Sequence, residues 1–383
     1  MAGADLADAK KRKQRKKRRQ RKKRCGMKFF REDIWQDGEY TYEAAYGFVP
    51  NLHFYLHEDD GSERSETTGA AYSDSQCSDS SAAAPNQTET AGASRPFMLV
   101  VPGGGYCMVV PPEAEVVAKE FYNRGMNCAV LTYTTDITFA VPLHKQPLND
   151  ISRAVRYIRK NASRFSADPD KLIICGFSAG GHLCGTLGVH HEDVTDPDAE
   201  LQKISNRPDG MILSYPVITS GEFTHEYSII ALCGNDADEK EREYFSLEKH
   251  VNKNTPPAFI WQTVEDDLVP VENSMLYAQA CRKAGVPYAY YAFPHGWHGL
   301  SVCNEEFCRG EFGADYTMEQ LQRAVEAVRE GRGVRVPEQR VKEMNEQFSP
   351  DAPKPEGRPP KFEDVPRWPA LAEAWMKSLW KQA

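Results

Sequence analysis

The chain of 383 residues predicts an α/β fold, a mostly parallel central sheet flanked by helices. Three observations predict it. Short apolar runs rich in β-branched and aromatic residues alternate with amphipathic helical stretches, as buried parallel strands joined by helical crossovers should. The apolar run ending Ile173-Ile174-Cys175 stops abruptly at Gly176-Phe177-Ser178-Ala179-Gly180, the G-x-S-x-G pattern of a sharp strand-to-helix turn. A glycine loop, that serine, an acidic cluster and a histidine pair then follow one another at the ends of successive runs, where α/β sheets carry their sites.

The elements read in order as follows. Residues 28–58 supply the earliest strands, expected at an antiparallel edge of the sheet. Runs at 97–102, 127–133, 171–176, 210–216, 257–264 and 287–293 are the expected parallel strands. The clearest helix is 147–160: Leu148, Ile151, Val155 and Ile158 share one face, and Arg153, Arg156 and Arg159 are expected to face water. A second covers 271–284 and stops at Gly285, a residue suited to the left-handed position that ends helices. A third is expected from Thr317 to Arg329, and a last one around Trp368 to Trp380.

Three stretches are unlike core. Residues 1–24 hold 13 Lys or Arg against Asp5 and Asp8, a charge of +11; the whole chain is at −8, so the remainder carries −19. The expected organisation is a basic disordered arm over 1–26 and one domain over 27–383. The domain opens at Met27-Lys28-Phe29-Phe30. Residues 59–95 have too few aliphatics to offset the entropy of ordering and read as a low-complexity surface insertion. Residues 304–365, with a charged, Pro-rich stretch from Ser349 to Pro366, read as a second insertion.

Composition excludes several classes. No apolar stretch approaches the roughly 18 residues of a membrane span, so no membrane role is expected. The ten cysteines are scattered without a C-x-x-C pair, which gives no zinc or redox site. With no secretory signal, they are expected to be reduced and mostly buried, in a cytoplasmic protein. The Lys10–Arg24 block suits nucleic acid or an acidic surface, but a solvated tail is the preferred reading, and a nucleic-acid partner is not expected.

Each motif answers a chemical need. Ser178 is a candidate nucleophile, and a neutral hydroxyl needs a base within hydrogen-bond reach. A histidine takes that proton and returns it to the leaving alkoxide. A carboxylate holds the imidazole in its productive tautomer. The developing oxyanion needs fixed N–H donors: Ala179, next to the nucleophile, supplies one, and the loop Gly103-Gly104-Gly105 supplies the other. In His295-Gly296-Trp297-His298-Gly299, His298 is favoured as base because Gly299 loosens its turn, and His295 reads as a polar loop residue. His182 reads as a packing or helix-terminus residue, and His144 and His225 as ordinary polar residues. Spacing alone leaves Glu265, Asp266 and Asp267 open as the acid.

These segments resemble an α/β-hydrolase, specifically the small bacterial acetyl esterases and acetylxylan-esterase-like carbohydrate esterases. The resemblance rests on Val101-Pro102-Gly103-Gly104-Gly105-Tyr106, Cys175 to His182, Leu213 to Ile218, Asp266 to Ser274 and His298-Gly299-Leu300-Ser301. It spans about residues 28–58, 96–303 and 366–381 and leaves the arm and both insertions unexplained. It implies Asp266 as the acid, followed by two residues and then Val269-Pro270, and His298 as the base. It also implies Gly104 and Gly105 as the loop's oxyanion donors.

The expected function is a serine carboxylic-ester hydrolase that removes short acyl groups, acetyl foremost, from a carbohydrate or other alcohol through an acyl-enzyme. The expected partner is a small-molecule or oligosaccharide ester, and serine acyl transfer calls for no metal or cofactor. One rival is a serine peptidase of the prolyl-oligopeptidase type, but the roughly 100 residues before the glycine loop are too few for a propeller of several four-stranded blades. Another is a non-catalytic binding protein on a hydrolase scaffold, which the presence of Ser178, Asp266 and His298 together disfavours.

Overall fold

The computed structural model describes residues 26–58, 94–348 and 362–381. An eight-stranded sheet runs through the molecule: β1 (Met27–Asp33), β2 (Asn51–His57), β3 (Arg95–Val101), β4 (Asn127–Thr132), β5 (Ala167–Phe177), β6 (Gly210–Ser214), β7 (Ala258–Thr263) and β8 (Tyr288–Phe293). Their spatial order is β1-β2-β4-β3-β5-β6-β7-β8. β1 and β2 form the antiparallel edge, β2 pairs antiparallel with β4, and every pairing from β4 to β8 is parallel.

The parallel strands form where they do because both of their faces are covered. Along β3, Phe97, Leu99 and Val101 pack into one hydrophobic layer and Met98 and Val100 into the other. β5, β6 and β7 alternate likewise, with Ile174, Leu213 and Ile260 on the first side and Ile173, Ile212 and Phe259 on the second. The first layer is completed by the helices Gln146–Lys160 and Ala179–His190, the second by Glu115–Asn123 and Trp368–Leu379. Two features of this order position the site. β3 lies directly beside β5, with Val101 level with Gly176, so the glycine loop and Ser178 leave the sheet as neighbours. β6, β7 and β8 follow on the same side, so the loops carrying the acid and the histidine emerge along the same carboxyl edge.

The helix Gln146–Lys160 departs from the expected pattern on its polar side. Arg153 and Arg156 do not face water; both are buried. Arg153 stacks on Trp35, with its guanidinium carbon 4.3 Å from the ring centre, and pairs with Glu39 and Asp196. Arg156 donates to the carbonyls of Ile204 and Val194. Segments distant in sequence fold over this face, and a delocalised guanidinium tolerates burial once it is stacked and paired. The second predicted helix is Glu272–Ala284, closed by Gly285 at φ 73°.

Residues 304–348 hold the helices Glu305–Cys308, Glu319–Arg329 and Glu338–Gln347. The last two pack on the segment after β4: Leu321, Ala324 and Met344 surround Ile137, and Arg340 donates to the Ile137 carbonyl and lies over the Phe139 ring, while Phe307 of the first joins the second hydrophobic layer. Residues 1–25 of the basic arm, 59–93 of the first expected insertion and 349–361 of the second lie outside the described residues. Among the described residues the eight cysteines are free thiols, six of them buried, and no helix is long and apolar enough to cross a membrane.

Candidate active site

The site is built on the turn between β5 and the helix Ala179–His190. Ser178 sits there at φ 52° and ψ −120°, a conformation unusual for a residue with a side chain. Its surroundings fix it: the Ser178 N–H donates to the Ser214 carbonyl at 3.0 Å, and its own carbonyl accepts from His182 at 3.0 Å and Val217 at 3.2 Å. Gly180 has to be glycine, because a β-carbon there would collide with the carbonyl groups of Val101 and Pro102 on the neighbouring strand. The close approach of β3 to the elbow thus depends on the second glycine of the motif.

His298 comes from the loop after β8 and Asp266 from the loop after β7. His298 Nε2 lies 2.8 Å from Ser178 Oγ, and its Nδ1 lies 2.9 and 3.1 Å from the two Asp266 oxygens. A carboxylate only accepts, so Nδ1 carries the ring proton and Nε2 is left to accept from the serine hydroxyl. The Asp266 side chain is fully buried and receives further hydrogen bonds from the Leu268 and Val269 amides and from Gln262 Nε2. Gln262 is anchored in turn by its bond to the Val269 carbonyl and by the Ser274 hydroxyl. The acid is therefore held by three donors before the imidazole is counted.

The neighbouring acids go elsewhere. Asp267 is exposed and accepts from the His298 main-chain N–H at 3.2 Å, while Glu265 pairs with His295 at 3.0 Å on the surface. The Glu265 carboxyl is held below its ordinary range by the His295 hydrogen bond and the Gly296 amide. His182 is buried away from the serine. It donates through Nε2 to the Phe245 carbonyl and accepts through Nδ1 from the Tyr106 hydroxyl, and burial lowers its pKa to about 4, which keeps it neutral.

The glycine loop lies across the mouth of this arrangement. Gly104 adopts φ 127°, and its carbonyl accepts from the Cys107 and Met108 amides, which curls the loop back on itself. Tyr133 holds the base of the loop through the Pro102 carbonyl, and Tyr106 ties its far end to His182. Among the described residues no carbonyl or side chain accepts from the Gly104, Gly105 or Ala179 amide.

Three residues at the site have no role assigned to them from the sequence. His225, set aside as an ordinary polar residue, lies against Gly105: its Cε1 is 3.8 Å from where a Gly105 β-carbon would stand, and its Nδ1 is 2.8 Å from Ser228 Oγ. Burial, with His298 nearby, lowers its pKa. Tyr215 stands edge-on to the His298 ring at 4.9 Å, and Glu113 lies behind the glycine loop. A helix boundary or a tyrosine after a strand is too common a pattern to mark such roles in advance.

With this geometry the chain matches the family model named BD-FAE over residues 85–280. The chain belongs to the BD-FAE family of α/β-hydrolases. Among solved structures, the chain is similar to an acetyl ester-xyloside bifunctional hydrolase from Caldicellulosiruptor lactoaceticus, 30% identical with a TM-score of 0.59 over 79% of this chain and 96% of that one. In sequence, endo-1,4-beta-xylanase B of Butyrivibrio fibrisolvens is 55% identical over 79% of this chain and 42% of its own length. The acetylxylan esterase of Xylanibacter ruminicola is 32% identical over 52% of this chain and 40% of its own. The chain thus spans about two fifths of the length of these two relatives.

Proposed function

We propose that this BD-FAE protein is a serine carboxylic-ester hydrolase that removes acetyl groups from a carbohydrate, with Ser178 as nucleophile, His298 as base and Asp266 as its carboxylate partner. The observation that carries the reading is the continuous chain from Ser178 Oγ through His298 to Asp266, with hydrogen bonds of 2.8 and 2.9 Å and a tautomer fixed by the carboxylate. In the first half-reaction Ser178 Oγ attacks the acyl carbon while His298 Nε2 takes its proton. The oxygen that becomes negative is received by the amides of Gly104, Gly105 and Ala179. Collapse expels the sugar alkoxide, which His298 protonates, and leaves Ser178 acylated. Water then repeats the sequence and releases the carboxylate product.

The acetyl and carbohydrate parts of the reading rest on relatives named for acetylxylan and for an acetyl ester-xyloside substrate. The xylanase relative suggests glycoside cleavage as a second reading. That chemistry uses two carboxylates facing one glycosidic bond. Here the reactive side chain at the elbow is a serine, and Asp266 is engaged by His298. The matched region is also less than half of that relative.

The test is a rate series on aryl esters of acetate, butyrate and octanoate, run beside acetate release from acetylated xylo-oligosaccharides. The acetate ester is expected to turn over fastest and the oligosaccharides to lose acetate with their chain length unchanged. A preference for octanoate, or shortened oligosaccharides with acetate retained, contradicts the proposal.

A further inference from the structure

Glu113 is a buried carboxylate on the short turn Pro111–Glu113 that follows the glycine loop, and the reaction outlined above gives it no task. Its bonds join two halves of the site. Glu113 Oε2 accepts from the Gly103 N–H at 2.7 Å, at the root of the glycine loop. Its Oε1 accepts from the Tyr215 hydroxyl at 2.7 Å, just beyond β6. The Tyr215 oxygen accepts in turn from the Ser301 N–H at 3.0 Å, three residues past His298. The Tyr215 ring meanwhile walls the His298 imidazole. A second bond, from the Val110 N–H to the Gly103 carbonyl, closes the glycine loop over Glu113.

We infer that Glu113 is a positioning residue for ester hydrolysis: one carboxylate clamps the oxyanion loop and, through Tyr215, the histidine loop into a single register. The inference rests on the serine-esterase reading. Its physical logic is the donor count. A backbone N–H can only donate, and the single Tyr215 hydrogen is free for Glu113 because Ser301 occupies the phenolic oxygen as donor. A group that accepts on both oxygens is therefore required between them, and an ionised carboxylate is that group. Burial holds the Glu113 pKa above the ordinary carboxylate range, and the bonds from Tyr215 and Gly103 offset part of that rise.

Glu113→Gln keeps the shape and breaks this pattern. Its amide has one acceptor oxygen, so its NH2 must face either the Gly103 N–H or the Tyr215 hydroxyl, whose hydrogen then loses its acceptor. Loops released by a fraction of an ångström cost catalysis more than binding, up to about 10²-fold. The expected result on an aryl acetate is a kcat reduced 10- to 10²-fold, with KM within about two-fold. Affinity for an alkylboronic acid, whose serine adduct places an oxygen among the oxyanion donors, is expected to fall in parallel with kcat. Tyr215→Phe removes the middle of the chain with little change of volume and should lower kcat and boronate affinity in the same way. The double variant should lose little more than the worse single one, because both cut one path. A Glu113→Gln protein that is folded with wild-type kcat and boronate affinity overturns the proposal, and so do fully additive losses in the double variant. If Glu113→Gln does not fold, a folded Tyr215→Phe protein with wild-type kcat overturns it, and one with lowered kcat and boronate affinity supports it. Ser178→Ala, assayed alongside, separates the two claims: full activity there defeats the serine-esterase reading, whereas its loss with an unaffected Glu113→Gln defeats this one alone.

Discussion

Ser178→Ala is expected to lower kcat for ester hydrolysis by about six orders of magnitude, as loss of the nucleophile does in serine hydrolases whose three groups act as a unit. The substitution removes one oxygen and its hydrogen bond to His298 Nε2, and nothing else in the elbow depends on it. The main-chain bonds to Ser214, His182 and Val217 that hold the turn remain. Circular dichroism and thermal unfolding should therefore match the unmodified protein. The residual rate should stand roughly 10³–10⁴-fold above uncatalysed hydrolysis, from oxyanion donors and binding alone. Activity far above that level would mean that another group attacks the ester.

Asp266→Asn is expected to cost about 10⁴-fold in kcat, the scale set by losing the tautomer and the counter-charge of the imidazolium. The structural reason is the number of donors around it. The two Asp266 oxygens receive N–H groups from Leu268, Val269, Gln262 and His298. An amide in that place turns an NH2 toward at least one of them, and the imidazole responds by rotating or by moving its proton to Nε2, where it no longer accepts from Ser178. Asp267→Asn should cost less than about ten-fold, because an exposed carboxylate acts on the ring only through a screened field and one bond to the His298 main chain. The two variants, measured on one acetyl ester with circular dichroism as the folding check, separate the acids. A larger loss for Asp267→Asn contradicts the assignment of the carboxylate.

How much of this was legible in the sequence differs from element to element. The strands were, because a strand covered on both faces leaves an apolar run that side-chain alternation does not disguise; Leu99, Ile174 and Ile260 sit in one layer and their neighbours in the other. The elbow was legible because its glycines answer local geometry, the approach of β3 to Gly180. The acid was not separable from local sequence, since Glu265, Asp266 and Asp267 are equivalent until β7, Gln262 and the histidine loop are assembled around them. The same limit hid the burial of Arg153, which depends on Trp35 and Glu39 more than 110 residues earlier. Glu113 and Tyr215 met it too: their bond spans 102 residues, and the next link to Ser301 spans 86. Periodicity reports how a segment is covered on average, and it carries no information about which distant side chain completes a particular hydrogen bond.

The reading of this BD-FAE protein rests on covalent chemistry at one oxygen. Incubation with an aryl phosphonate ester, followed by intact mass measurement and peptide mapping, tests that point most directly. One phosphonyl group per chain is expected, located on the peptide containing Gly176-Phe177-Ser178-Ala179-Gly180, with esterase activity lost in proportion to labelling and no labelling of Ser178→Ala. Stoichiometric labelling at another residue, or full loss of activity with Ser178 unmodified, would contradict it.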